Sequence, residues 1–186
     1  MKNYIKNLLR EGLLEAAFGG NDESLNNSGL FITTDYLVLY DFVEDKIMGV
    51  SGVYDLGPIF HLAIVASEDG YGPLMYELSM THAYPKGVTT DRDSSTSKSA
   101  FNVFEKMYNR EDVKKESLPT NDENYIDYKD EYINQILNSV YYFEDRQTYD
   151  TLVEKAKSYL SNISEPQSIM KKLNDNAFTF FANKLN

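Results

Sequence analysis

The chain has no cysteine and no tryptophan among its 186 residues, and only two histidines, His61 and His82. Without cysteine there is no disulfide, no thiolate metal site and no cysteine nucleophile. Any Ser-His-Asp machinery or histidine-rich metal site has to use one of those two imidazoles. Basic residues are also scarce: 18 Lys and Arg stand against 29 Asp and Glu, a net charge of −11. A nucleic-acid partner is not expected, because neutralising phosphates needs a basic surface. No run of about 18 apolar residues occurs, so no membrane-spanning helix is expected. The N-terminus lacks the continuous apolar stretch of a secretory signal.

Aromatic residues, by contrast, are plentiful, with 15 Tyr and 10 Phe. With 42% hydrophobic and 25% charged residues, the usage is that of a globular domain. A chain of this length buries roughly 70% of its unfolded surface, so the aromatics read first as core filling.

Hydrophobic spacing divides the chain. Ile5, Leu8, Leu9 and Leu13 recur every three or four residues, which predicts an amphipathic helix over 2–17 with Lys2, Lys6 and Arg10 on another face. Gly19-Gly20 ends it, and a unit of residues 1–18 follows. Strands are predicted at Leu30–Thr33, Tyr36–Val43 and Ile47–Tyr54, the last with Gly49 and Gly52 marking a bulge or a close backbone approach. Phe60–Ala66 is almost all apolar and predicts a strand buried on both faces. Pro73 opens a helix to about Tyr84, Val88–Thr90 is a short strand, and Ser94–Ser97 caps a further helix with Ala100, Phe101, Phe104 and Met107 on its buried face. From residue 120 the spacing predicts three helices: a long one through Ile133, Ile136, Leu137, Val140 and Tyr141, a second through Tyr149 to Leu160, and a third opened by Pro166. The expected fold is an α/β domain with a mixed central sheet at 25–110 and a helical extension at 120–186.

The feature with chemical content is the passage from the apolar strand into Gly70-Tyr71-Gly72 and then a helix. Glycines let the chain turn tightly and leave room for a ligand. The helix start adds free N–H groups and the positive end of its dipole, a combination suited to a pyrophosphate. The same turn also serves as a plain strand-to-helix connection. Asp41, Glu44, Glu77, His61 and His82 lie within reach of this unit as acids or bases, and Arg92 in Asp91-Arg92-Asp93 is a candidate anion contact.

The order of strands, glycine turn, helix, strand and helix over residues 30–109 resembles the GCN5-related N-acetyltransferases. Their pyrophosphate loop matches Ser67-Glu68-Asp69-Gly70-Tyr71-Gly72, and their following helix matches Ser97 to Asn109. The resemblance implies acetyl-CoA as cofactor, held by Ile64, Ala66, Ser67, Gly70, Tyr71, Gly72 and Leu74, and an amine on a small molecule or protein as acceptor. Phe104 stands where that family has the tyrosine that protonates the departing thiolate, which leaves Tyr108, one turn on, for that role and His61 as a base. The family's last two strands are expected to be replaced by helices. The opening Met1–Leu14 resembles the short basic leaders of proteins carried in tailed-phage heads, and the middle block resembles small phage proteins. That resemblance implies a phage-head or host-protein partner, and a place in the virion interior or the host cytoplasm.

Overall fold

A computed structural model describes residues 23–55, 57–90 and 96–184. The predicted helix over 2–17, the unit 1–18 and the Asp91–Asp93 candidates lie outside them. A single helical turn, α1 (Glu23–Asn26), leads into a meander of β1 (Ser28–Ile32), β2 (Leu37–Asp41), β3 (Lys46–Asp55) and β4 (Phe60–Ser67). Then come α2 (Gly72–Ala83), β5 (Val88–Thr90), α3 (Lys98–Tyr108), β6 (Lys114–Ser117), α4 (Glu131–Leu137), β7 (Ser139–Tyr142), α5 (Gln147–Ser161) and α6 (Pro166–Lys184). The seven strands form one mixed sheet in the order β1-β2-β3-β4-β5-β7-β6. β4 and β5 are parallel, and every other neighbouring pair is antiparallel.

Alternation along the strands sends side chains to two faces. Leu30, Leu37, Leu39 and Met48 meet Leu74, Met75 and Leu78 of α2, together with Tyr149 and Leu152 of α5. Their neighbours Phe31, Val38, Tyr40 and Val50 meet Ala156 of α5 and Leu173 and Ala177 of α6. Helix α5 therefore wraps the edge of the sheet, touching one face near its start and the other near its end. Its backbone passes so close to β1 that a Cβ on Gly29 would lie 3.0 Å from Ala156 N and 2.5 Å from the Phe42 ring. This cover removes an exposed strand edge, which is otherwise a template for unwanted pairing.

The first three meander strands, the apolar β4, the Pro73 helix and β5 stand where spacing put them, shifted by a residue or two at their ends. The long helix predicted through Tyr141 does not form. α4 stops at Leu137, and Val140 and Tyr141 belong to β7, an interior strand between β5 and β6. The expected loss of the last two strands is likewise corrected, and the sheet runs across the 110–120 boundary. The cause is Asn138, 3% exposed. Its Nδ2 donates to Ile126 O and Asn134 Oδ1, both at 2.7 Å, its Oδ1 accepts from Ile126 N, and its backbone oxygen accepts from Leu118 N at 2.7 Å. Those bonds replace the helical ladder one residue before the run Ser139-Val140-Tyr141-Tyr142-Phe143, which favours a strand.

Both readings of the β3 glycines hold. A Cβ on Gly49 would meet Met75 Sδ at 2.6 Å, a close approach, and Gly52 sits beside a register shift. The two crowded glycines are expected to differ in cost. Gly29→Ala pushes against the backbone of α5 and destabilises by about 1–3 kcal/mol, the usual scale of overpacking. Gly49→Ala meets the flexible end of a methionine and costs less. Urea midpoints of the two variants check the order.

Candidate functional site

The site is built by a mismatch between the two neighbours of β4. Against β3 the strand is paired along its whole length, from Phe60↔Asp55 to Ser67↔Gly49. Against β5 it is paired for three residues only: Phe60↔Val88, His61↔Thr89 and Leu62↔Thr90. The register against β3 jumps at the same place. Gly52 faces Ile64 and Val53 faces Leu62, so Ala63 is an extra residue. Such a bulge bends and twists its strand. From Ala63 to Ser67 the β5-facing edge of β4 has no strand partner among the described residues. This opening lies at the carboxyl ends of two parallel strands, on either side of a crossover helix, where open α/β sheets place their ligands.

The glycine turn stands at the mouth of that opening. Glu68 N donates to Met48 O at 2.9 Å and Tyr71 N to Glu68 O at 3.2 Å, which fold the chain back into α2. Gly70 has φ +88°, and a Cβ placed on it would meet nothing within 4 Å. A Cβ on Gly72 would meet only Ser67 Oγ, at 3.6 Å. The helix has no side-chain cap, and its first intrahelical bond is from Met75 N to Tyr71 O. The N–H groups of Gly72 and Leu74 precede that bond, and Pro73 contributes none. Glu68, whose charge opposes an anion at this point, is offset by Lys184 near the end of α6, with Nζ 2.9 Å from Oε2.

Of the residues expected at the cofactor, Ser67, Gly70, Tyr71 and Gly72 form this turn. Ile64 and Ala66 lie on the part of β4 that is paired with β3 but has no strand partner on the β5 side among the described residues. Leu74 is 1% exposed and its side chain is core, so only its backbone faces the turn. His61 and Tyr108 do not join them. His61 lies at the far end of β4, roughly 20 Å away at about 3.3 Å per residue. It is buried, with Nε2 3.1 Å from Asn124 Oδ1. Tyr108 ends α3, where its carbonyl accepts from Lys115 Nζ. Phe104 is packed between Tyr76 and Tyr141, each with ring centroids 5.3 Å away.

The remaining acid–base candidates have other duties. Asp41 Oδ1 accepts from Val43 N and Glu44 N in the β2–β3 turn. Glu77 is paired with Arg110, which also makes a two-point contact with Asp112. His82 Nδ1 lies 2.8 Å from the Tyr149 hydroxyl. Sequence reasoning had the bulge from Gly52 without placing its extra residue, Ala63, on β4. It missed Lys184 and Asn124, to which nothing in the spacing pointed. Comparison with protein-family models, with curated proteins and with solved structures found no match.

Burial, and then the nearby Arg146 guanidinium, hold the His82 imidazole below its ordinary range. The folded state therefore binds this proton less readily than the unfolded chain. Stability from this group is complete above the unfolded value of about 6.5 and falls as pH drops below it. Urea unfolding between neutral and mildly acid pH is expected to show a shallower decline in His82→Gln than in the parent.

Proposed function

We propose that this chain is a GCN5-related type of N-acyltransferase, moving an acetyl group from acetyl-CoA to an amine on a small molecule or a protein. The opening between β4 and β5, with the glycine turn at its mouth, carries this reading. After α3 the sheet continues with β6 and β7, where the sequence predicted only helices. The residues present fit the cofactor: Gly70 and Gly72 add no side chain of their own to the turn, and the N–H groups of Gly72 and Leu74 at the helix start have no partner among the described residues.

Acetyl-CoA would supply the activated acyl thioester. Gly72 and Leu74 N–H would hold the pyrophosphate, and Lys184 would keep Glu68 from repelling it. The edge of β4 beyond Ala63, which has no strand partner on the β5 side among the described residues, offers backbone N–H groups to the developing oxyanion. The acceptor ammonium must first lose a proton. His61 is held by Asn124 at the far end of β4 and Tyr108 ends α3, so neither stands at the turn. In this reading water relays both the proton lost by the ammonium and the proton taken up by the departing thiolate.

The enclosure of His61 favours a second reading. In it the chain is a non-catalytic phage protein on the same scaffold, carried in the head or bound to a host protein.

Calorimetry with acetyl-CoA separates the two. Binding is expected, and at ~100 times the dissociation constant it adds about 2.7 kcal/mol to stability. Gly72→Val is expected to weaken it tenfold or more, the equivalent of about 1.4 kcal/mol, while melting like the parent because its Cβ has room. Absence of any calorimetric or thermal signal ends the acyltransferase reading. Binding without turnover on a panel of polyamines, aminoglycosides and lysine peptides supports the second.

A further inference from the structure

On the face of the sheet away from α2, α6 stands off the β2–β3 hairpin and leaves a cleft of about 360 Å³. Small-molecule sites usually measure ~300–1,000 Å³. The floor is apolar and aromatic, with Ile47, Leu173, Tyr159 and Phe180. Two acids and two lysines stand around it. The acids are engaged: Asp45 accepts the Tyr40 hydroxyl, and Glu68 is paired with Lys184. Lys46 and Lys172 also line the cleft, and among the described residues neither side chain has a hydrogen bond or ion pair. The same is true of the Asn176 and Asn183 side chains on the helix above. In a chain of net charge −11, Asp45 keeps its charge, but Glu68 is balanced by Lys184 and the two lysines Lys46 and Lys172 outweigh Asp45, so the recess carries the opposite sign to the chain as a whole.

We propose that this cleft binds a small amphiphilic organic anion. An aromatic or aliphatic body lies on Ile47, Leu173 and Phe180, and its carboxylate or phosphate head sits between Lys46 and Lys172, with the asparagine amides as further donors. The two parts of such a ligand need both parts of the site. The apolar body gains from leaving water, and the anionic head gains most from cations beside a low-dielectric wall. Nothing in this depends on acyl transfer, because the cleft's apolar floor and its two lysines take no part in the glycine turn, and the two sites meet at Glu68 and its partner Lys184.

The test uses the full chain and three probes: 3-phenylpropionate, phenyl phosphate and the neutral 3-phenylpropionamide. Methyl and aromatic NMR signals of Ile47, Leu173 and Phe180 report occupancy. Both anions are expected to shift these signals, the ratio of their affinities showing which head group the rim prefers, and the amide is expected to bind about tenfold more weakly. The Lys46→Ala/Lys172→Ala variant, with both changes at exposed positions, is expected to melt like the parent, lose about tenfold in anion affinity and bind the amide unchanged. If it melts differently, Lys46→Gln/Lys172→Gln replaces it. Signals unmoved by either anion up to the solubility limit overturn the proposal. So does equal binding of anions and amide, or a double variant that binds the anions as the parent does.

Discussion

Among the described residues, β4 is held along its whole length by β3 and for three residues by β5, and the arrangement of this molecule depends on that difference. The pairing with β5 ends at Leu62, one residue before the bulged Ala63. A sheet that closed evenly along β5 would leave no unpaired backbone in its interior. The divergence is stable because both sides are anchored elsewhere. β5 continues the sheet through β7, with Thr89 and Thr90 buried, and β4 lies against the meander and α2. Strand pairing lost at the opening is thus a local concession, made beside the helix start best suited to hold a ligand.

The second constraint is coverage. A meander of four strands has two faces and one outer edge to protect, and α2 alone covers part of one face. The C-terminal helices do the rest. α5 crosses the edge at Gly29, and α6 lies over Val50 and Tyr40 on the far face, tied to the β1–β2 turn by Asn174, whose Oδ1 accepts from Thr33 Oγ1 at 2.7 Å and from Asp35 N at 3.1 Å. The same helix ends beside the glycine turn, where Lys184 meets Glu68. A segment that reads as an appendage along the sequence is therefore part of the core and a neighbour of both clefts.

What was legible in the sequence is what local patterns encode. Period-two alternation located the meander, the unbroken apolar run located β4, and Pro73 located the start of α2. Ile133, Ile136, Leu137 and Val140 keep helical spacing to the end, yet the last of them is in a strand. Asn138 decides the matter through bonds to Ile126 and Leu118, partners that periodicity does not register. The turn at Gly70–Gly72 was readable because glycine and proline restrict the backbone locally. The bulge was only half readable, from Gly52 on the strand opposite. Lys184 and Asn124 were unreadable, because their roles exist only once chain segments far apart in sequence have met.

The seam between Gly29 and Ala156 also fixes an order of events during synthesis. β1 and β2 are among the first described elements to leave the ribosome. Among the described elements, α5 is the one that lies along the edge of β1, and it emerges after every strand of the sheet has been made. Through that interval a young chain presents an open ladder of backbone donors and acceptors, at the stage when exposed edges invite association with other chains. Closure comes late and by a distant segment, so interrupted translation anywhere before Gln147 yields a sheet with an unsealed side.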